Sequence, residues 1–173
     1  MKLTGKKIVY LVEEGFEELE FWVPLMRLQE EGAQVFVTSR EKRLFRGKHC
    51  LTATADYLAN QIDPDEIDGI VIPGGWAPDK LRRDPAILSL IRTLNRQGKV
   101  IGAICHAGLV LISAGIIAGR PATGSAGIKD DLLNAGAVWR DEPAFRDGNL
   151  VWGRVVADIP RFCRELINAF TEE

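Results

Sequence analysis

The chain has 173 residues, 46% of them hydrophobic and 27% charged, and a formal net charge of -2. That length lies within the roughly 100–200 residues usual for a single domain, and the composition is that of an ordinary soluble globular protein. No excess of Lys and Arg is present to neutralise phosphates, which excludes a nucleic-acid surface. No apolar run approaches the roughly 18 residues that a membrane-spanning helix requires, so no membrane partner is expected.

The chain begins with lysines ahead of the apolar run Ile8–Val12. That run is too short for the core of a signal peptide and ends in glutamates, so a cytoplasmic protein is expected. Lys7–Val12 reads as a buried strand, and Glu17–Glu31 as a helix with Phe21, Leu25 and Leu28 at helical spacing, stopped by Gly32. Ala33–Ser39 is a second β-rich run, followed by a hairpin-like stretch through Arg43–Ala55. Gly69–Pro73 resembles a fully buried strand and empties into Gly74 and Gly75. Asp84-Pro85 opens a helix with the stripe Ile87, Leu88, Ile91 and Leu94, closed by Gly98.

Lys99–Ile104 is another apolar strand, leading through Cys105 and His106 into a short helix that ends near Gly115. A helix over Asp130–Ala135, β-like segments around Val138 and over Leu150–Val156, and a last helix after Pro160 complete the order. Strands alternating with helices predict a three-layer α/β/α sandwich with a mostly parallel sheet. Ligands bind such sheets beyond the carboxyl ends of the strands. Three loops answer that description: EEGFEELE, PGGWAPD and ICHAG.

In KVIGAICHAG a β-run stops at Cys105 among the small residues Ala103, Ala107 and Gly108. A sharp strand-to-helix turn that lifts a nucleophile needs such neighbours. The following helix N-terminus favours thiolate over thiol. A packed cysteine serving as a small hydrophobe fits the same pattern about equally well. His106 is the adjacent candidate base. Gly74 and Gly75 let backbone amides approach a reacting atom, and with the amide of His106 they could build an oxyanion hole. Cys50, Cys105 and Cys163 form no CxxC pair and read as reduced thiols. His49-Cys50 reads as packing or a subunit contact rather than a metal site, and Cys163 as core. No motif requires a metal or cofactor.

The stretches FEELE, RLQEEG, RGKHC, IVIPGGWAPDKLR, AICHAG, LISAG and GIKDDLLNAGA occur in this order along nearly the whole chain. Together they resemble the PfpI-type intracellular cysteine peptidases, or general stress protein 18 group. That group is related to the parkinsonism-associated protein deglycase and the class I glutamine amidotransferases. The resemblance implies Cys105 as nucleophile, His106 as its neighbouring histidine, Gly75 and the His106 amide as oxyanion donors, and Glu20 as the acid that hydrogen-bonds the cysteine. It implies a homodimer and, in the peptidase branch, a hexamer built from such dimers, with a carboxylate from the adjacent subunit completing a triad. Asp79 matches that position, where the branch has glutamate. The carboxylate is then about 1.5 Å nearer the backbone, a distance to which catalysis is sensitive. Ser125-Ala126 stands where relatives often have an aromatic residue and proline, and HAG replaces the commoner HGP.

Helical spacing separates the acids of EEGFEELE. Glu20 has Phe16, Val23 and Pro24 on its face, and Glu17 continues that surface toward the pocket. Pro24 cannot bond the carbonyl of residue 20, which predicts a kink there. Glu13, Glu14, Glu17 and Glu18 read as a solvated helix start, whereas partial burial would keep Glu20 protonated and able to donate to a thiolate. Trp76 adjoins the glycine loop and is a candidate pocket wall with Ser125; the acids and lysine of GIKDDLLNAG read as solvated. The expected function is a stress-related cysteine-nucleophile hydrolase acting on peptides or on dicarbonyl compounds such as methylglyoxal and their adducts. The alternative is a redox-sensing or holdase protein in which Cys105 is oxidised.

Overall fold

A computed structural model of the chain describes residues 1–172. Strand β1 (Lys7–Leu11), helix α1 (Glu18–Glu30) and strand β2 (Gln34–Ser39) are followed by the hairpin of β3 (Leu44–Arg46) and β4 (Thr52–Thr54) and by the short strand β5 (Tyr57–Leu58). Next come β6 (Gly69–Ile72), α2 (Ala77–Leu81), α3 (Pro85–Arg96), β7 (Val100–Ile104) and α4 (Gly108–Ala114). The chain ends with β8 (Pro121–Ala122), α5 (Lys129–Asn134), β9 (Val138–Trp139), β10 (Ala144–Asp147), β11 (Leu150–Gly153) and α6 (Ile159–Thr171). Helix α2, inside the WAPDKL stretch, was not expected. The C-terminal strand is shorter than expected, since Val156–Asp158 form a 3-10 turn instead.

Seven strands form one sheet in the order β10-β11-β7-β6-β1-β2-β5. All neighbours run parallel except β10 against β11. This is the expected α/β sandwich. Every residue of β6 and of β7 is buried, because both faces of the sheet are covered, and this is why these strands read as unbroken apolar runs. The hairpin β3–β4 pairs only with itself and lies outside the main sheet.

Helix formation follows local chemistry and is then fixed by burial. The Asp84 side chain accepts from the amides of Ala86 and Ile87, and Pro85 occupies the first turn where its missing N–H costs nothing. Ile87, Leu90, Ile91 and Leu94 then face the core. At roughly 1.5–3 kcal/mol per buried side chain, this face outweighs intrinsic propensity differences of at most about 0.7 kcal/mol for ordinary residues. On the other side of the sheet α6 buries Phe162, Cys163, Leu166 and Phe170. No helix among the described residues is long and apolar enough to cross a membrane.

Helix α1 continues through Pro24. The carbonyl of Glu20, which lacks the amide of residue 24, instead accepts a hydrogen bond of 2.6 Å from the buried Tyr10 hydroxyl.

Register carries the topology to the site. Val9 lies beside Ile70, and Ile70 beside Ile101, so β1, β6 and β7 end at one side of the sheet. The chain turns from β2 to the opposite flank of β1 at β6, and this switch point opens a crevice between the following loops.

Candidate active site

The three glycine- or cysteine-bearing loops that the sequence singles out meet at this crevice. The amide of Glu17 bonds the carbonyl of Gly74 at 3.2 Å, and the amide of Trp76 bonds the carbonyl of Gly15 at 2.8 Å. A cavity of about 370 Å³ lies above them, lined by Glu17, Glu20, Lys48, Gly75, Trp76, Cys105, His106 and Ser125, with Val155, Val156 and Ala157 opposite.

Cys105 follows β7 directly with φ 61°, a left-handed conformation that a side-chain-bearing residue adopts only when its surroundings enforce it. The turn is fixed in part by the amide of Ser125, which bonds the Cys105 carbonyl at 3.2 Å. The thiol sulfur lies 3.3 Å from His106 Nδ1, and the amides of His106 and Gly75 favour its charged form against the effect of burial. Gly74 is obligatory here: a Cβ on it would lie 2.4 Å from Glu20 Oε2 and 2.8 Å from the Cys105 Cβ. Gly75, at φ 76°, would place a Cβ 2.5 Å from the Glu17 amide nitrogen.

Glu20 is completely buried. Its Oε2 accepts from the Gly74 amide at 2.8 Å, Oε1 has no hydrogen-bond partner, and the Cys105 thiol interacts with the carboxyl. Burial raises the Glu20 carboxyl to about 7, against the lowering effect of the Gly74 amide and the thiol. Burial also pushes Cys105 up to about 12, and the charge of Glu20 adds to it. The expected low-pKa thiolate is therefore corrected. The turn Cys105–Ala107 is 3-10 and α4 has only seven residues, so the helix end offers too little positive potential to offset burial and a neighbouring carboxylate. Two acids this close titrate as a unit that holds one shared proton between the two steps. His106 is lowered, first by burial and then by the Lys48 ammonium, which keeps its ring neutral and able to accept a proton.

The acids around Glu20 also need correction. Glu13, Glu17 and Glu18 are buried rather than solvated. Arg40 Nε meets Glu13 at 2.8 Å. Glu17 is the N-cap of α1 and pairs with Lys48 at 3.5 Å. Glu18 pairs with His49 Nδ1 at 3.1 Å. Only Glu14 keeps substantial contact with solvent. His49 and Cys50 are exposed in the turn of the hairpin rather than in a strand. Glu17, Glu18 and His49 present ligand-type atoms within 4.8 Å of one another, and hydrogen bonds and ion pairs within the chain already engage them.

Asp79 lies apart from this constellation within the chain: it is 69% exposed and forms an ion pair with Arg83 at 3.2 Å. Among the described residues no carboxylate is hydrogen-bonded to the His106 ring. Trp76 is 64% exposed and stands at the cavity mouth. Sequence reasoning passed over Lys48, although it sits inside the RGKHC stretch, and over Val155–Ala157, whose only signal was their place after a strand of the parallel sheet.

The fold and sequence have known counterparts. A two-domain protein from Anabaena variabilis, with DJ-1/ThiJ/PfpI-like and ferritin-like domains, superposes with a TM-score of 0.92 at 36% identity, over 94% of this chain and 47% of its own. Deglycase PH1704 of Pyrococcus horikoshii is 39% identical over 161 residues, 93% of this chain and 97% of the relative. General stress protein 18 of Bacillus subtilis is 35% identical over 164 residues, 93% of this chain and 95% of its own. Residues 6–169 match the DJ-1/PfpI family, and with the fold and these relatives this establishes that the chain belongs to it.

Proposed function

We propose that the protein is a cysteine-dependent hydrolase whose substrates are small dicarbonyl compounds and their early adducts. The observation that carries this reading is the half-buried Cys105 beside the buried Glu20, the latter raised to about 7, beneath a cavity of about 370 Å³. An acid–base group works best when its pKa lies near the operating pH. The name of the relative Deglycase PH1704 agrees with a dicarbonyl-derived substrate.

With methylglyoxal, the Cys105 sulfur adds to the aldehyde carbon. The thiol proton passes to His106 or Glu20, the carbonyl electron pair moves to oxygen, and the amides of Gly75 and His106 stabilise the resulting charge. The base then removes the proton on that carbon, and its return to the neighbouring carbon gives a thioester. Water cleaves the thioester, releasing lactate and the free thiol. The sum is one methylglyoxal plus one water to one lactate, with no external oxidant or reductant.

Peptide cleavage is less well supported, because among the described residues no carboxylate orients His106 and a second copy would have to supply Asp79. The test is to assay wild type and Cys105→Ala on methylglyoxal and on fluorogenic peptides, recording oligomer size. Lactate formation lost in the mutant, with no peptide cleavage by either, is the expected result. Peptide cleavage by wild type that disappears in the mutant would replace this reading with the peptidase one. Peroxide-dependent protection of client proteins without turnover would replace it with the redox one.

A further inference from the structure

The helix that carries Glu20 has a gap in its ladder. Pro24 offers no amide to the carbonyl of residue 20, and a buried carbonyl left unpaired is unfavourable. Tyr10 fills the gap from outside the helix: its hydroxyl donates to that carbonyl at 2.6 Å. Tyr10 sits next to the end of β1, paired in register with Val37 and Val71, and is wholly buried. Its ring meets that of Phe21 edge-on, with centroids 5.2 Å apart. A strand packed on both faces would be satisfied by phenylalanine here. The additional oxygen has one recorded hydrogen-bond partner, and that partner is the backbone of Glu20.

Glu20 is thus held at two points. The Gly74 amide fixes its carboxyl and the Tyr10 hydroxyl fixes its main chain. We propose that Tyr10 is a positioning residue that sets the Glu20 carboxyl against Cys105 through the carbonyl that Pro24 leaves open. Burial raises the Tyr10 phenol well above its ordinary value, so it remains a donor throughout the working range. The proposal rests on the reading in which Glu20 and Cys105 share a proton. The other groups that face this pair are Glu17 on α1, Lys48 on the hairpin turn, and His106 beyond the elbow, while Cys163 of α6 faces Tyr10. None of them bonds the Glu20 carbonyl.

The experiment compares wild type, Tyr10→Phe, Pro24→Ala and the double variant. Its readouts are the pH dependence of Cys105 alkylation, followed by mass spectrometry of the Cys105 peptide, together with kcat, KM and the melting temperature. In Tyr10→Phe a loosened carboxyl gains water and raises the thiol less, so the alkylation midpoint moves below the wild-type value of about 12. kcat falls about tenfold with KM within about twofold, since a displacement of ~1 Å at a reacting group can cost ~100-fold. Pro24→Ala restores an amide at residue 24, so the double variant returns to within about twofold of Pro24→Ala alone.

A Tyr10→Phe protein that melts lower yet keeps the wild-type midpoint and kcat would overturn the proposal and leave Tyr10 a purely structural residue. If Tyr10→Phe does not fold, the double variant decides against Pro24→Ala: matching profiles support the proposal, and displaced ones overturn it. Glu20→Gln separates the two readings. If it retains the wild-type alkylation profile, the sharing of a proton between Glu20 and Cys105 is what has failed.

Discussion

Cys50 and Cys105 have nearly the same backbone and opposite surroundings. At φ 74° and 61° they are the two non-glycine residues with positive φ among the described residues. Cys50 is exposed in the turn between β3 and β4, closed by its own amide on the Gly47 carbonyl at 3.2 Å. Cys105 stands at the end of a buried strand, beside a buried carboxyl, a histidine ring and two inward-facing amides. A strained cysteine is therefore not in itself a reactive centre. What distinguishes the second site is the set of groups that converge on its sulfur.

The largest effect that sharpens this contrast is loss of the thiol. Cys105→Ala should lower dicarbonyl turnover by roughly 1,000-fold or more, as expected for a covalent nucleophile, while Cys50→Ala leaves kcat/KM within about twofold. Equal losses in the two variants would remove the distinction. Next in size is Gly74→Ala, whose Cβ would be forced against Glu20 Oε2 at 2.4 Å. Displacing that carboxyl by ~1 Å should cost ~100-fold in kcat. Unchanged turnover with a folded protein would show that the Glu20 contact is dispensable.

A third test uses pH. Cys105 alkylation in wild type should stay low through pH 7, where Glu20 loses its proton, and rise only at strongly alkaline pH. Glu20→Gln should move that rise to lower pH, because the carboxylate charge that helps to raise the thiol is gone. Stability follows with a definite sign. Glu20 is raised from 4.5 to about 7, so the unfolded chain releases this proton at lower pH than the folded one. Its contribution is fully present below pH 4.5 and is lost as pH rises through 7, by up to about 3 kcal/mol. Glu20→Gln should accordingly be more stable than wild type at pH 8, and equal or lower stability there would contradict the assignment. The smallest expected effect is Cys50→Gly. It should relieve the left-handed strain and stabilise by about 0.5 kcal/mol in denaturant melts, after glycine's greater unfolded-state entropy is deducted, with no change in activity.

The sheet and the elbow were legible because their signals are local. Unbroken apolar runs announce β6 and β7, and Cys105, Gly74 and Gly75 declare themselves by small residues at strand ends. The burial of Glu13, Glu17 and Glu18 was not legible, because their partners Arg40, Lys48 and His49 come from segments about 30 residues further along the chain. Spacing within α1 put Glu20 on a buried face yet misjudged its neighbours, since helical periodicity says which residues share a face but not what covers it. Tyr10 illustrates the same limit. The open carbonyl opposite Pro24 could be predicted from sequence, but the strand residue that closes it could not. The shift at Cys105 was misjudged for a related reason: the sequence revealed the helix end but not the depth of burial.

The hairpin β3–β4 stands apart from the seven-stranded sheet, yet its turn delivers Lys48 to the cavity. Gly15 donates to the Arg46 carbonyl and Lys48 to the Phe16 carbonyl, so main-chain bonds fasten the turn whatever side chains it carries. The cavity wall thus behaves as a replaceable cassette. Exchanging the residue at position 48 would recolour the electrostatic lining above Cys105 without disturbing a single strand of the scaffold, which gives one frame the means to serve ligands of differing charge.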